Sequence, residues 1–148
     1  VVGWDYSRWY ATADTYPQNA VRGPIVMVTN QWAGSDGDIV AAATQAMGYA
    51  KVIGERSWGG VVGIDGRFDL VDGTSVTQPR YAGWYGSYGW GVENHGVDPD
   101  IVVTVSPEDW EADRDVQLDA AIAECLRQLD DKPAATAPEL PGPAFDRC

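Results

Sequence analysis

The chain has 148 residues and a mass of 16.0 kDa, enough for one domain with a buried core. Apolar types supply 45% of it and charged types 22%, a globular rather than a disordered balance. Ten basic residues against 22 acidic ones leave a formal charge of −12, a field that opposes a phosphate backbone and argues against nucleic-acid binding.

No run approaches the roughly 18 apolar residues that a membrane span needs, and Val1 to Tyr10 lack the charged start and apolar stretch of a signal peptide. Two cysteines, Cys125 and Cys148, with one histidine cannot build a zinc site or staple a domain of this size. A cytoplasmic protein without metal or other cofactor is expected. The chain opens on Trp4, Tyr6, Trp9 and Tyr10 before any start signal, as the C-terminal piece of a longer protein would.

Ile25 to Val28 follows the turn residues Arg22-Gly23-Pro24, and its β-branched, continuously apolar character predicts a buried strand. A loop from Thr29 to Gly34 leads to Ser35-Asp36-Gly37-Asp38 and a helix from about Ile39 to Met47, closed by Gly48. Lys51 to Gly54 is a second strand. Eleven of the 17 glycines then lie between Gly54 and Gly96, a region of turns and close backbone approaches. Within it, Arg67–Val71 and Ser75–Gln78 flank Asp72-Gly73-Thr74 as a predicted hairpin. Ile101 to Val105 reads as a final buried strand. Pro107 to Asp131 reads as one helix with Pro107 at its first position and Leu118, Ala121, Ile122, Cys125, Leu126 and Leu129 on one face, so that Cys125 is core filler. Residues 132–148, rich in proline and alanine, are expected to form a flexible tail beyond a domain at 1–131. Strand, helix, strand and terminal helix make an α/β unit.

A strand that delivers Ser35 to the head of a helix is chemically suggestive. Backbone amides there lack intrahelical acceptors, and the Asp36 amide could hold the oxyanion formed when Ser35 attacks a carbonyl. A plain helix cap by Ser35 or Asp36 explains the same residues. A serine nucleophile also needs a base. His95 is the only histidine and stands two residues from Glu93. On an extended strand the two would share a face, so a local Ser35–His95–Glu93 arrangement is conceivable, as is a histidine that merely sits in a turn.

Four blocks carry a family resemblance. Gly23-Pro24 to Val28 with Asn30-Gln31-Trp32-Ala33-Gly34-Ser35-Asp36-Gly37-Asp38 resembles the nucleophile segment of tricorn core proteases. The likeness continues through Ile53-Gly54-Glu55-Arg56-Ser57-Trp58-Gly59-Gly60-Val61-Val62-Gly63-Ile64, Leu70-Val71-Asp72-Gly73-Thr74 and Gly91-Val92-Glu93-Asn94-His95-Gly96-Val97-Asp98-Pro99-Asp100. About residues 20 to 105 are covered in family order.

The resemblance implies the fold shared with C-terminal processing proteases, a crotonase/Clp-like peptidase core with a mixed sheet, a nucleophile helix and a C-terminal helix. Processing proteases take their base from a lysine beyond the nucleophile helix; Ser57-Trp58-Gly59-Gly60 stands there and holds none. The tricorn branch uses a histidine relay instead. By resemblance, Ser35 is then the nucleophile, the Asp36 amide an oxyanion donor and Glu93 the carboxylate of the relay. The family's histidine falls upstream of Val1, and His95 occupies a position the family does not use in catalysis. Short peptides are the implied substrates, with basic residues before the scissile bond, laid as an added strand along Gly63, Ile64 and Asp65. A homo-oligomer is also implied. The expected function is a serine peptidase acting through an acyl-enzyme and nearly inert without the upstream histidine. The alternative is a catalytically silent module for peptide binding or oligomer assembly.

Overall fold

The computed structural model describes residues 1–7 and 12–139. Trp9 and Tyr10 of the aromatic start, and 140–148 of the tail with Cys148, lie outside the described residues. The chain divides into two compact units, Val1–Ile25 with Cys125–Cys148, and Val26–Glu124.

In the first unit, β1 (Gly3–Tyr6) and β2 (Ala13–Tyr16) form an antiparallel pair with Gly3 opposite Tyr16 and Tyr6 opposite Ala13. The Tyr6 hydroxyl donates to the Pro138 carbonyl, and the Ala135 amide donates to the Arg22 carbonyl at 2.8 Å. Residues 132–139 are thus hydrogen-bonded to the opening segment.

The second unit is built on a parallel crossover. Strand β3 (Val26–Thr29) runs into α1 (Asp36–Met47) and returns through β4 (Lys51–Gly54), with Val26 opposite Lys51 and Thr29 opposite Gly54. A short β7 (Ile101–Val102) adds to the far side of β4, giving the order β3-β4-β7. Alanines at 41, 42, 43 and 46 favour the helix, and the two buried ones, Ala41 and Ala42, let it lie close on the sheet. Gly48 ends it in the left-handed conformation, φ 64°, its amide donating to the Thr44 and Gln45 carbonyls. Ala41, Ala42, Val52, Val61, Val92 and Val97 form the core, with Met27, Ile39, Tyr85 and Tyr88 packed on its margin. The core therefore gathers residues from α1, β4 and both ends of the glycine-rich region.

Several expected elements are placed differently. One mixed sheet was expected; the described strands form a parallel sheet of three and two separate antiparallel pairs. Val102 is 72% exposed on the edge strand β7, so the last strand is not buried. Apart from Gln78, the hairpin's ladder lies outside the segments flanking Asp72-Gly73-Thr74. It is made by β5 (Gly63–Asp65) and β6 (Gln78–Tyr81), while the turn itself holds one bridge, Asp69 with Ser75.

The terminal helix is two helices. Helix α2 (Pro107–Glu111) has Pro107 in its first turn and a reciprocal cap between Ser106 and Asp109. The chain then breaks through Asp113, at φ 52°, and restarts as α3 (Val116–Asp131), where the Asp115 carboxylate accepts from the Leu118 amide at 2.9 Å. Capping side chains on both sides of the break out-compete helix continuation. On α3, Ala121 is buried and Cys125 half-buried, whereas Leu118, Ile122 and Leu126 are exposed, so the apolar stripe is only partly covered. Among the described residues no helix is long and apolar enough to cross a membrane.

Candidate active site

The site begins where β3 stops. The Ala33 amide donates to the Asn30 carbonyl at 2.9 Å, and the Asn30 side chain accepts from the Trp32 amide at 3.0 Å, closing a tight turn ahead of the helix. The Trp58 amide then donates to the Ala33 carbonyl at 2.9 Å, and a β-carbon on Gly34 would stand 2.5 Å from the Trp58 ring. Only glycine lets the chain pass under that indole.

Ser35 follows with φ 56° and ψ −116°, a conformation costing a non-glycine residue about 1–3 kcal/mol. Its side chain makes no capping bond, which sets aside the plain helix cap. The hydroxyl sits exposed at the helix head instead. Its carbonyl accepts from the Ile39 amide, and the Gly37 amide turns back to Gly34, whereas the Asp36 amide has no acceptor among the described residues. A free hydroxyl beside a free amide at the positive end of a twelve-residue helix can deliver a nucleophile and receive the oxyanion that results.

A cleft of about 290 Å³ opens over this point, lined by Ser35, Asp36, Ile39, Val61, Gly63 and Tyr81 among others. Of the expected site residues, Ser35, Asp36 and Gly63 share it. Ile64 and Asp65 lie beyond the lining on the same strand, Ile64 exposed and Asp65 paired with Arg80 at 2.9 Å and Arg67 at 3.3 Å. Among the described residues β5 pairs on one side only, with β6, and a β-carbon at Gly63 would stand 2.4 Å from that of Tyr81. Its other edge can accept an extended peptide.

Glu93 is half-buried in a turn over 91–95 and does not line the cleft. That turn, with Asn94 at φ 65°, replaces the extended strand on which Glu93 and His95 would share a face. His95 Nε2 instead pairs with Asp98 Oδ2 at 2.8 Å, and among the described residues no hydrogen bond joins it to Ser35. The extended placement on which Glu93 and His95 would share a face is therefore not formed.

The sequence leaves the aromatic segment Tyr81 to Gly91 either to line a substrate cleft or to pack between subunits, and Tyr81 and Tyr85 line the cleft wall. One further group escapes a reading of the sequence. Asp38, which looks like a first-turn helix-dipole residue, is wholly buried; its Oδ1 accepts from the Ser57 hydroxyl at 2.5 Å and the Gly59 amide at 2.8 Å. Nothing local in the sequence separates it from an ordinary first-turn aspartate.

A strand that ends on a strained serine, with a helix amide and a cleft beside it, is the layout of a nucleophile site, and comparison with known proteins gives the family. Residues 4–103 match the model of Peptidase family S41, and the chain belongs to that family. It is similar to tricorn proteases: 57% identical over 141 residues to tricorn protease homolog 1 of Streptomyces coelicolor, covering 95% of this chain and 13% of that one. With the tricorn protease of Thermoplasma acidophilum it shares 46% identity over 128 residues, covering 86% of this chain and 12% of that protein. The crystal structure of the tricorn protease superposes with a TM-score of 0.81 at 46% identity, over 87% of this chain and 12% of the other. The chain thus spans about an eighth of the length of the relatives it matches.

Proposed function

We propose that these residues form the nucleophile-bearing part of a tricorn-like serine peptidase that hydrolyses short peptides. Ser35 Oγ attacks the scissile carbonyl and gives its proton to a relay histidine outside the 148 residues, which Glu93 helps to orient. The Asp36 amide holds the tetrahedral oxyanion. Collapse expels the amine, which takes the proton from the histidine, and water then hydrolyses the acyl-enzyme. The free Ser35 hydroxyl beside the free Asp36 amide is the observation that carries this reading.

The substrate backbone adds to the open edge of β5 at Gly63, Ile64 and Asp65. By the family resemblance, peptides with basic residues before the cleaved bond are preferred; a net charge of −12 attracts cationic peptides in general. Residues 1–131 would contribute to a crotonase/Clp-like catalytic domain and 132–148 would be its tail. Exposed Trp32, Trp110 and Val71 support a homo-oligomer in which more of this surface is covered.

One observation favours a second reading as a silent binding or assembly module: among the described residues no base is hydrogen-bonded to Ser35. Fluorophosphonate labelling, read by intact mass, decides between them. Labelling at Ser35 in the longer polypeptide, lost in Ser35→Ala and nearly absent from the 148 residues alone, is the expected result. No labelling of the longer polypeptide would leave the binding module.

A further inference from the structure

Between the Ser35 helix and the Glu93 turn lies a buried polar chain that no step of the proposed mechanism uses. Asp38, one turn along α1 from Ser35, is 0% exposed and Ser57 is 2% exposed. Asp38 Oδ1 accepts from both the Ser57 hydroxyl and the Gly59 amide. Ser57 Oγ in turn accepts from the Val97 amide at 2.8 Å, and the Ser57 amide donates to the Val97 carbonyl at 3.1 Å. Next to Glu93, the Asn94 amide donates to the Gly59 carbonyl at 2.8 Å. Segment 57–59 therefore grips the chain just after Glu93, at residue 94 of the turn and at residue 97 beyond it, and is itself gripped by Asp38.

The chain is not what stability alone would select. Asp38 Oδ2 is buried with no hydrogen-bond partner, and an isosteric apolar contact would avoid that cost. A buried carboxylate kept half-satisfied fixes geometry at the expense of stability.

We propose that Asp38 and Ser57 are positioning residues that hold the Glu93 turn in register with the Ser35 helix, an inference that rests on the serine peptidase reading above. Neither touches the reacting atoms. Asp38 sets where segment 57–59 lies against the nucleophile helix, and Ser57 passes that placement to Val97. A displacement of about 1 Å in a catalytic carboxylate can cost a hundredfold in rate.

The test uses the longer polypeptide, with kcat and KM on a short peptide, the rate of fluorophosphonate labelling at Ser35, and circular dichroism to establish folding. Ser57→Ala should lower kcat and the labelling rate by about tenfold or more with KM within about threefold. Asp38→Ala should cost at least as much, and Asp38→Asn, which keeps an acceptor oxygen for Ser57 and Gly59, should recover most of the loss. In a Glu93→Ala background the further loss of labelling from Ser57→Ala should shrink to within about twofold, because the residue it positions is gone. Should Asp38→Ala fail to fold, Ser57→Ala alone carries the test. A folded Ser57→Ala with wild-type kcat and labelling overturns the inference, and so does a loss undiminished in the Glu93→Ala background. Wild-type protein that is not labelled at Ser35 overturns the peptidase reading itself.

Discussion

Gly59 and Gly96 cross at a separation that admits no side chain on either. A β-carbon on Gly59 would stand 2.5 Å from the Gly96 nitrogen, and one on Gly96 would stand 2.1 Å from the Ser57 carbonyl oxygen. Both residues are also left-handed, at φ 80° and φ 88°. The contact is backbone on backbone, so no side chain can swing away to relieve it. Gly59→Ala and Gly96→Ala should each destabilise the fold by about 3 kcal/mol or more. Gly48→Ala shares a positive φ, 64°, but meets nothing within 4 Å and should cost only about 1 kcal/mol. Urea unfolding of the three variants separates backbone clash from backbone strain.

Ser35 holds a backbone conformation that costs it stability. At φ 56° and ψ −116° a glycine would be at ease, and no hydrogen bond from the hydroxyl compensates. Ser35→Gly should therefore raise stability by about 1 kcal/mol while abolishing fluorophosphonate labelling. Ser35→Ala, equally unlabelled, should leave stability within about 0.5 kcal/mol of wild type, because alanine keeps the strain. A Ser35→Gly midpoint in urea below that of Ser35→Ala would mean that the serine is not strained.

The strand–serine–helix unit was legible because each of its signals is local. β-Branched residues mark β3, Gly48 marks the end of α1, and the serine stands at the junction. The break at Ala112–Asp115 was not, since it depends on which partners Asp109 and Asp115 choose over helix continuation. Nor was the pairing of Asp38 with Ser57, 19 residues apart, because nothing local tells an inward aspartate from a first-turn one. His95 illustrates the reverse case. Its spacing from Glu93 carries meaning only on an extended segment, and the left-handed Asn94 removes that geometry.

Asp109 gives a pH dependence with a defined sign. Ser106 donates to its Oδ2 through the hydroxyl at 2.7 Å and the amide at 3.1 Å, and Arg114 reaches Oδ1 at 2.7 Å. These contacts, the Ser106 hydroxyl foremost, lower its pKa from 3.8 to about 2. A carboxylate lowered on folding contributes stability that is present above about pH 4 and lost as the pH falls towards 2. The gap in urea midpoint between wild type and Asp109→Asn should accordingly be widest above pH 4.5 and narrow steadily towards pH 2. A gap that does not change across that window would mean that these bonds do not favour the ionised form.

His95 is the residue whose role separates an imported base from a local one. Its Nε2 is engaged by Asp98 Oδ2 at 2.8 Å on an exposed turn, where the pair is screened by water and contributes little to the fold. In the longer polypeptide, His95→Ala should leave both folding and the rate of Ser35 labelling within about twofold of wild type. Glu93→Gln, by contrast, should slow labelling by at least tenfold, because the amide cannot supply the charge that steadies a relay imidazolium. The two variants lie two residues apart in the same turn, so general damage to the turn would affect both alike. A labelling rate that falls in His95→Ala and persists in Glu93→Gln would move the base into this chain and the relay carboxylate out of it.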